Sequence, residues 1–243
     1  MTTREQIVNR EILRWLTEQQ ALAAERAAGE SPSPPRPVIT VSRQIGSGGS
    51  LIAELLSERL GYHLFDRELI HAIAEQAGVQ EEMVRILDER RRSGVDLWVE
   101  GVIRGRQFDG SDYLRALVRT VYLLARHGSA VIVGRGANFI LHGEGAFHVR
   151  VVAPENERRS WFMKELNLTA TEAAESVRES DRLQAEFVRR HFRREIGDPV
   201  AYHITINSGG ISPEAAVESI AETLARLGWT LPSGAARRSA GTG

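Results

Sequence analysis

Apolar residues along the chain follow two alternating patterns, which predict strands separated by helices. Short β-branched or aromatic runs, typical of buried strands, occur at residues 38–41, 62–65, 130–133, 147–152 and 202–207. Between these runs, apolar residues recur every three or four positions, as amphipathic helices require. This alternation predicts an α/β fold with a parallel five-stranded sheet flanked by helices, whose ligands bind at the carboxyl ends of the strands.

Three segments lie outside this predicted domain, which spans residues 38–228. Residues 1–30 carry apolar side chains at helical spacing, and they predict an amphipathic helix that packs on its own domain or on a second copy in a homodimer. Residues 31–37 include four prolines and are predicted as an extended linker. Residues 229–243 are predicted as a disordered tail. If the helix is separable, removal of residues 1–36 should leave a folded core.

Two segments inside the domain are unusual in their charge. Residues 78–110 are charge-rich and poorly periodic, and we interpret them as a mobile insertion rather than part of the core. Residues 155–195 are helical in pattern and rich in arginine. Lys164 is the single lysine among 31 basic residues, so arginine carries nearly all of the positive charge.

Composition narrows the classes of function. The 243 residues carry a net charge of −1, which favours neither a nucleic-acid nor a membrane partner. The absence of cysteine excludes disulfides, thiolate zinc sites and cysteine nucleophiles. No apolar run approaches the roughly 20 residues that span a bilayer, and the N-terminus lacks a signal-peptide core. We therefore expect a cytoplasmic protein.

A glycine-rich turn follows the first predicted strand. Gly46, Gly48 and Gly49 precede an amphipathic helix that begins at Ser50, and in this layout backbone N–H groups and the helix N-terminus can bind phosphate. The phosphate-loop pattern G-x-x-x-x-G-K-[S/T] is matched at Gly48 and Ser50, but Arg43 replaces its first glycine and Gly49 replaces its lysine. The alternative is a turn that only joins strand to helix.

Three motifs in this order carry a resemblance to a known family. They are Ile39-Thr40-Val41-Ser42-Arg43 leading into Gly46-Ser47-Gly48-Gly49-Ser50, then Phe65-Asp66-Arg67-Glu68-Leu69-Ile70, and then Val131-Ile132-Val133-Gly134-Arg135-Gly136-Ala137-Asn138. Together they resemble the cytidylate kinase-like family, relatives of the bacterial cytidylate kinases among the P-loop nucleoside-monophosphate kinases, over about residues 37–228. The resemblance implies a P-loop kinase fold, with a monophosphate-side insertion at about 78–110 and an arginine-rich lid at about 155–195 that closes over ATP.

The resemblance also implies an activity and its residues. The activity is transfer of the ATP γ-phosphoryl group to a nucleoside monophosphate, CMP or dCMP, with Mg²⁺ as cofactor. The implied donor-binding residues are Arg43, Gly46, Ser47, Gly48, Gly49 and Ser50, and the Ser50 hydroxyl would also bind Mg²⁺. The implied acceptor-binding residues are Asp66, Arg67, Arg135 and Arg158. The residues implied for catalysis are Arg135, Arg178, Asp181 and Arg182.

Arginine suits this chemistry because phosphoryl transfer needs charge neutralisation, and a guanidinium binds phosphate oxygens at two points. Arg67, Arg135 and Arg158 follow predicted strands, and glycines on both sides of Arg135 allow a ligand to approach it closely. For each single arginine the alternative is an ordinary surface position. For Arg178 and Arg182 it is a solvated helix stabilised by salt bridges.

The chain departs from the cytidylate kinases at two positions that concern Mg·ATP. Gly49 stands in place of the loop lysine, and Val133 stands where those kinases carry an aspartate. Arg43 could partly replace the lysine. We expect Gly49→Lys to weaken both ATP binding and folding, because Gly49 has a positive φ or because Arg43 or a lid arginine occupies the lysine's space. The alternative function is a catalytically weak, nucleotide-binding regulatory protein whose N-terminal helix docks a partner.

Overall fold

The structure is a computed structural model that describes residues 4–27, 37–87, 94–106, 108 and 110–229. Its strands are β1 (Ile39–Arg43), β2 (His63–Phe65), β3 (Ala130–Val133), β4 (Phe147–Val152) and β5 (Ile204–Asn207). Its helices are α1 (Arg4–Ala27), α2 (Gly49–Leu60), α3 (Arg67–Glu75), α4 (Ala77–Ile86), α5 (Val95–Gly105), α6 (Asp112–His127), α7 (Ala137–Ile140), α8 (Glu155–Glu165), α9 (Ala170–Phe192) and α10 (Pro213–Arg226), with a 3₁₀ turn at Pro199–Ala201.

The strands form one parallel sheet in the order β2-β3-β1-β4-β5, which confirms the predicted five-stranded α/β architecture. Strand β1 is central, with Ile39 opposite Val131 of β3 and Phe147 of β4. The turn that follows β1 therefore lies at the same edge of the sheet as the turns that follow β3 and β4.

Both faces of the sheet are covered by helices. Val131 packs on the face that holds α2 and α10, with Leu56 and Ile220, and its neighbour Ile132 points to the other face. This alternation follows the two-residue period of a strand. On the second face α3 and α6 cover the sheet, and Leu117 of α6 is fully buried there.

Helix α1 is part of the core on this second face. Ile12, Trp15 and Leu16 are buried, and the Trp15 ring lies edge-on to Phe65 at 5.5 Å and to His127 at 5.0 Å between ring centroids. Of the two predicted locations for the apolar stripe, the structure shows packing on the chain's own α3 and α4. Residues 31–36 of the predicted linker lie outside the described residues.

The described part of segment 78–110 is mostly helical and is buried on one side. Met83 of α4 and Val99 and Ile103 of α5 belong to the main core, as does Phe108. The interpretation of this segment as lying outside the core is therefore wrong for its described part. Charged residues that interrupt the apolar pattern there are exposed: Glu81, Arg85, Asp96 and Arg104. Residues 88–93, 107 and 109 lie outside the description.

The end of the chain is described only as far as Trp229. Its ring packs edge-on against Phe147, with 5.9 Å between ring centroids, so it is a packing residue. The remainder of the predicted tail, residues 230–243, lies outside the described residues. Among the helices described, none is both long enough and apolar enough for a membrane span.

Because Trp15 fills the core between α1 and the sheet, Trp15→Ala is expected to lower the free energy of unfolding by about 3–5 kcal/mol. Leu13→Ala is the matched control, since Leu13 lies on the same helix and is 64% exposed. Its effect is expected to stay within about 0.5 kcal/mol. Urea denaturation measures both changes, and equal, small changes would show that α1 is separable after all.

Candidate functional site

The loop after β1 has a compact backbone that only glycine permits at two positions. Gly46 and Gly48 have φ of 79° and 70°, in the left-handed region. A Cβ atom at Gly46 would also lie 3.1 Å from the backbone oxygen of Arg158. The Ser47 hydroxyl donates to the carbonyl of Gln44 at 2.7 Å and accepts the amide of Gly49 at 3.3 Å. These hydrogen bonds hold the loop in shape.

This loop leaves several amide donors free. Within the described ranges, the N–H groups of Gly46, Gly48 and Ser50 donate to no protein acceptor. Ser50 is the second residue of α2, and its side chain is exposed at the positive end of the helix dipole. Free amides beside a helix N-terminus can receive an anion.

Gly49 is required by crowding. A Cβ atom there would lie 2.5 Å from the Cβ of Arg43 and 3.0 Å from the Cβ of Val151. The φ of Gly49 lies outside the left-handed region, so the predicted positive φ is wrong. The alternative cause, that Arg43 occupies the lysine's space, is present. The side chain of Arg43 fills the space that the first carbon atoms of a lysine at position 49 would need.

The side chain of Arg43 runs from β1 towards the turn after β3. A Cβ atom added to Gly134 would lie 3.0 Å from Arg43 Nη1, so the guanidinium is close to this turn. Arg43 Nε is buried with no hydrogen-bond partner in the described structure. Burial lowers the pKa of Arg43, and the neighbouring Arg67 lowers it further. Arg43 is therefore a partly desolvated cation between the loop and β3.

The turn after β3 holds Arg135 in an unusual conformation. Gly134, Arg135 and Gly136 all have positive φ, at 78°, 52° and 67°. For an arginine this left-handed conformation costs about 1–2 kcal/mol. The guanidinium lies 5.9 Å from the ring centroid of Phe187, its Nε is buried without a partner among the described residues, and burial lowers the pKa of Arg135.

These arginines line a cavity of about 360 Å³ between the strand ends and α9. Its cationic lining is Arg43, Arg67 and Arg135. Its other lining residues are polar or apolar: Ser42, Ile45, Gly134, Gly136, Asn138, Phe139, Ser180, Leu183, Gln184, Phe187, Val188 and Ile196. Among the described residues that line the cavity none carries a carboxylate, so its electrostatic character suits an anion.

Sequence reasoning missed the buried polar group beneath this cavity. Arg150 of β4 donates to the Ser42 hydroxyl at 2.7 Å, and its guanidinium lies 5.9 Å from the ring centroid of Tyr202. The Tyr202 hydroxyl donates to the carbonyl of Ile196 at 2.8 Å. Burial lowers the pKa of Arg150. The available signal was a lone arginine inside an apolar strand.

Arg158 is engaged in holding the loop to α9. Its side chain is 3% exposed, and it donates to both carboxylate oxygens of Asp181 at 2.8 and 2.7 Å and to the carbonyl of Ile45 at 2.8 Å. Asp181, one of the residues implied for catalysis, therefore orients the guanidinium of Arg158 of α8.

The remaining predicted residues lie away from the cavity or perform local roles. Asp66 is the N-cap of α3 and accepts the amides of Glu68 and Leu69 at 3.0 and 2.8 Å. The residues of α9 that line the cavity share one helix face: Ser180, Leu183, Gln184, Phe187 and Val188. Arg178 and Arg182 lie on the opposite face and are exposed. Arg182 forms ion pairs with two glutamates of its own helix.

Comparison with known proteins places this geometry in a family. The model of the cytidylate kinase-like family matches residues 38–210 of this chain. Over 97 residues the chain is 31% identical to a uronate isomerase of Corynebacterium glutamicum, and it spans 40% of its own length but only 19% of that relative.

The chain is also similar to several solved structures. The chain is similar to an uncharacterized protein from Eubacterium ventriosum, with 19% identity, 79% of this chain and 99% of that chain covered, and a TM-score of 0.64. It is also similar to shikimate kinases from Acinetobacter baumannii (14% identity, 80% and 96% covered) and Bacteroides thetaiotaomicron (12% identity, 78% and 98% covered), both with a TM-score of 0.44.

The family match extends from the start of β1 past β5, so it includes the glycine loop, the Gly134-Arg135-Gly136 turn and α9. It confirms the resemblance that the three sequence motifs carry. The parallel sheet with the glycine loop after its central strand agrees with the fold that this resemblance implies. The chain belongs to the cytidylate kinase-like family.

Proposed function

We propose that this protein transfers the γ-phosphoryl group of ATP to a nucleoside monophosphate, with CMP or dCMP as acceptor. One observation carries the proposal: Arg43, Arg67 and Arg135 line one cavity without a carboxylate, beside a glycine loop with free amides. Membership of a kinase-like family supports a phosphotransferase, and the identity of the acceptor is our own inference.

The donor side would use the loop. The amides of Gly46, Gly48 and Ser50 would hold the phosphates of ATP, and the Ser50 hydroxyl would contact Mg²⁺. ATP bound with Mg²⁺ supplies the phosphoryl group and part of the neutralising charge. The end of β3 adds no metal ligand, because Val133 is apolar and buried.

The acceptor side would use Arg67 and Arg135. A phosphate monoester is mostly a dianion near neutral pH, since its second pKa is about 6. Its own oxygen can attack, so no general base is needed: a bond forms from that oxygen to the γ-phosphorus, and the bond from the γ-phosphorus to the β–γ bridging oxygen breaks. The backbone at Arg135 fixes its guanidinium before substrate arrives, and this preorganisation favours transfer.

The charges around the transferred group would come from the strand edge. Arg43 lies between the loop and Arg135, whereas Arg178 and Arg182 are on the far face of α9 in this conformation. We therefore assign charge neutralisation to Arg43 and Arg135. Asp181 would act through Arg158, by fixing the loop carbonyl of Ile45.

A second candidate function is nucleotide binding with little turnover, used for regulation. The specific observation in its favour is crowding at Gly49. The Arg43 and Val151 side chains leave no room there for the lysine of active phosphate loops. Val133 removes a carboxylate from the same edge. Both functions require the loop to bind a nucleotide, and they differ in whether an acceptor accelerates ADP release.

A coupled ADP-release assay across the nucleoside monophosphates separates the two functions. If the protein is the proposed kinase, it should release ADP several-fold faster with ATP plus CMP or dCMP than with ATP alone. The γ-phosphoryl group then has an acceptor phosphate to which it can be transferred. Calorimetry with ATP in the same preparation is the control for nucleotide binding. ATP binding without acceptor-dependent ADP release would favour the regulatory function.

Arg135→Ala is expected to lower CMP affinity about 10- to 100-fold, because a charge-assisted hydrogen bond worth about 1.5–3 kcal/mol is lost. ATP affinity should change little. Alanine keeps the same left-handed backbone cost, so thermal stability should also change little. Arg226→Ala is the control, since Arg226 is exposed on α10. Unchanged CMP binding by calorimetry would remove Arg135 from the site.

Gly49→Ala is expected to destabilise the fold by about 1–3 kcal/mol, because its Cβ would overlap the Cβ of Arg43. Gly49→Lys should do the same and also weaken ATP binding by displacing the loop. Gly78→Ala is the matched control, since Gly78 is in α4 and nothing lies within 4 Å of its added Cβ. Tighter ATP binding by Gly49→Lys at an unchanged melting temperature would contradict this account.

A further inference from the structure

A second, larger cavity adjoins the first at Arg67 and Arg135. It measures about 790 Å³ and lies between α1 and α3. Besides the two arginines, its lining residues are Val8, Asn9, Glu68, His71, Ala72, Glu75 and Gln76. A ligand whose phosphate is bound by the shared arginines can therefore extend towards the N-terminal helix.

Helix α1 is fixed beside this cavity by two kinds of contact. Its buried residues, such as Trp15, anchor it to the core. At the cavity itself, the Gln76 side-chain amide donates to Asn9 Oδ1 at 3.2 Å. Asn9 is thus held at a defined position, with its amide group at the border of the cavity.

The cavity lining combines cations with hydrogen-bond acceptors and amides. Arg67 and Arg135 supply positive charge where the two cavities meet. Glu68 and Glu75 supply carboxylates, and Asn9 and Gln76 supply amides. The Glu75 carboxylate lies 3.2 Å from His71 Nε2 and is 63% exposed, so it has further acceptor capacity. This pattern matches a ligand with an anionic end and an uncharged end that donates N–H groups.

We propose that the groove between α1 and α3 binds the base of the acceptor, with Asn9 contacting the base and Glu75 favouring one that carries an exocyclic amino group. This inference rests on the proposed function, which places the acceptor phosphate at Arg67 and Arg135. A carboxylate accepts a hydrogen bond from the amino group of cytosine but repels the carbonyl oxygen that uracil carries at that position. Helices α1 and α3 then both contribute to substrate choice.

Calorimetric titration with three probes tests the proposal: CMP, UMP and ribose 5-phosphate, which lacks a base. Asn9→Ala is expected to weaken CMP binding about three- to tenfold, the effect of one hydrogen bond, and to leave ribose 5-phosphate binding unchanged. Glu75→Gln is expected to reduce the preference for CMP over UMP by a similar factor, because an amide can also donate to a carbonyl.

Gln20→Ala is the matched control. Gln20 also joins α1 to the domain by a side-chain amide, which donates to Glu82 of α4, but it does not line the cavity. Gln20→Ala is expected to leave all three affinities unchanged. Equal losses of CMP affinity in Gln20→Ala and Asn9→Ala would overturn the proposal, since α1 would then act only as a support.

Two further outcomes separate the proposal from the function on which it rests. If Asn9→Ala and Glu75→Gln bind CMP and UMP as the wild type does while Arg135→Ala loses CMP, the acceptor site stands and the base groove is overturned. If the wild-type protein binds neither CMP nor ribose 5-phosphate, the proposed function fails and the groove proposal fails with it.

Discussion

Positive charge concentrated at one edge of the sheet is the constraint on which the site depends. Burial lowers the pKa of Arg43, Arg135 and Arg150, so the fold holds three cations where water screens them poorly. Nearby carboxylates offset this only in part: Asp66 acts to raise the pKa of Arg43, Glu75 that of Arg135 and Asp181 that of Arg150, but burial outweighs each of them. A bound anion would relieve this repulsion and would stabilise the folded state by mass action. Stability and ligand binding are therefore linked at this edge.

Arg158 is also a buried arginine, but its charge is paired within the protein. It is as buried as any arginine of the site, yet its donors are satisfied by Asp181 and the Ile45 carbonyl. It forms a rigid connection between the glycine loop and α9. If α9 moves during a binding cycle, it must either break this paired charge, which is costly in a buried position, or move the loop with it. If the loop binds phosphate as proposed, phosphate binding and the position of α9 would thereby be coupled.

Sequence patterns predicted what depends on local periodicity and missed what depends on tertiary contact. The strands and the glycine loop are visible because a buried strand and a phosphate-binding turn each need particular residue types in order. The described part of segment 78–110 was misjudged because charges such as Glu81 and Arg104 lie on the exposed faces of helices whose other faces are buried. Spacing placed Arg178 and Arg182 on one face of a helix, but it cannot show which face meets the cavity. Arg150 was missed because pairing with Ser42 crosses between strands.

In the proposed reaction, Gly49 and Val133 would together change how the charges of phosphoryl transfer are divided. A phosphate loop with a lysine keeps one cation on the donor side, independent of the acceptor. Here crowding by Arg43 closes that position, and the side chain of Arg43 runs towards Gly134, next to the proposed acceptor-binding Arg135. The cations nearest to the transferred group would therefore be shared by donor and acceptor. Two anions that shared the same cations would not be bound independently. Substitutions at this edge should then change substrate affinity and turnover together, which distinguishes it from a site whose donor and acceptor charges are separate.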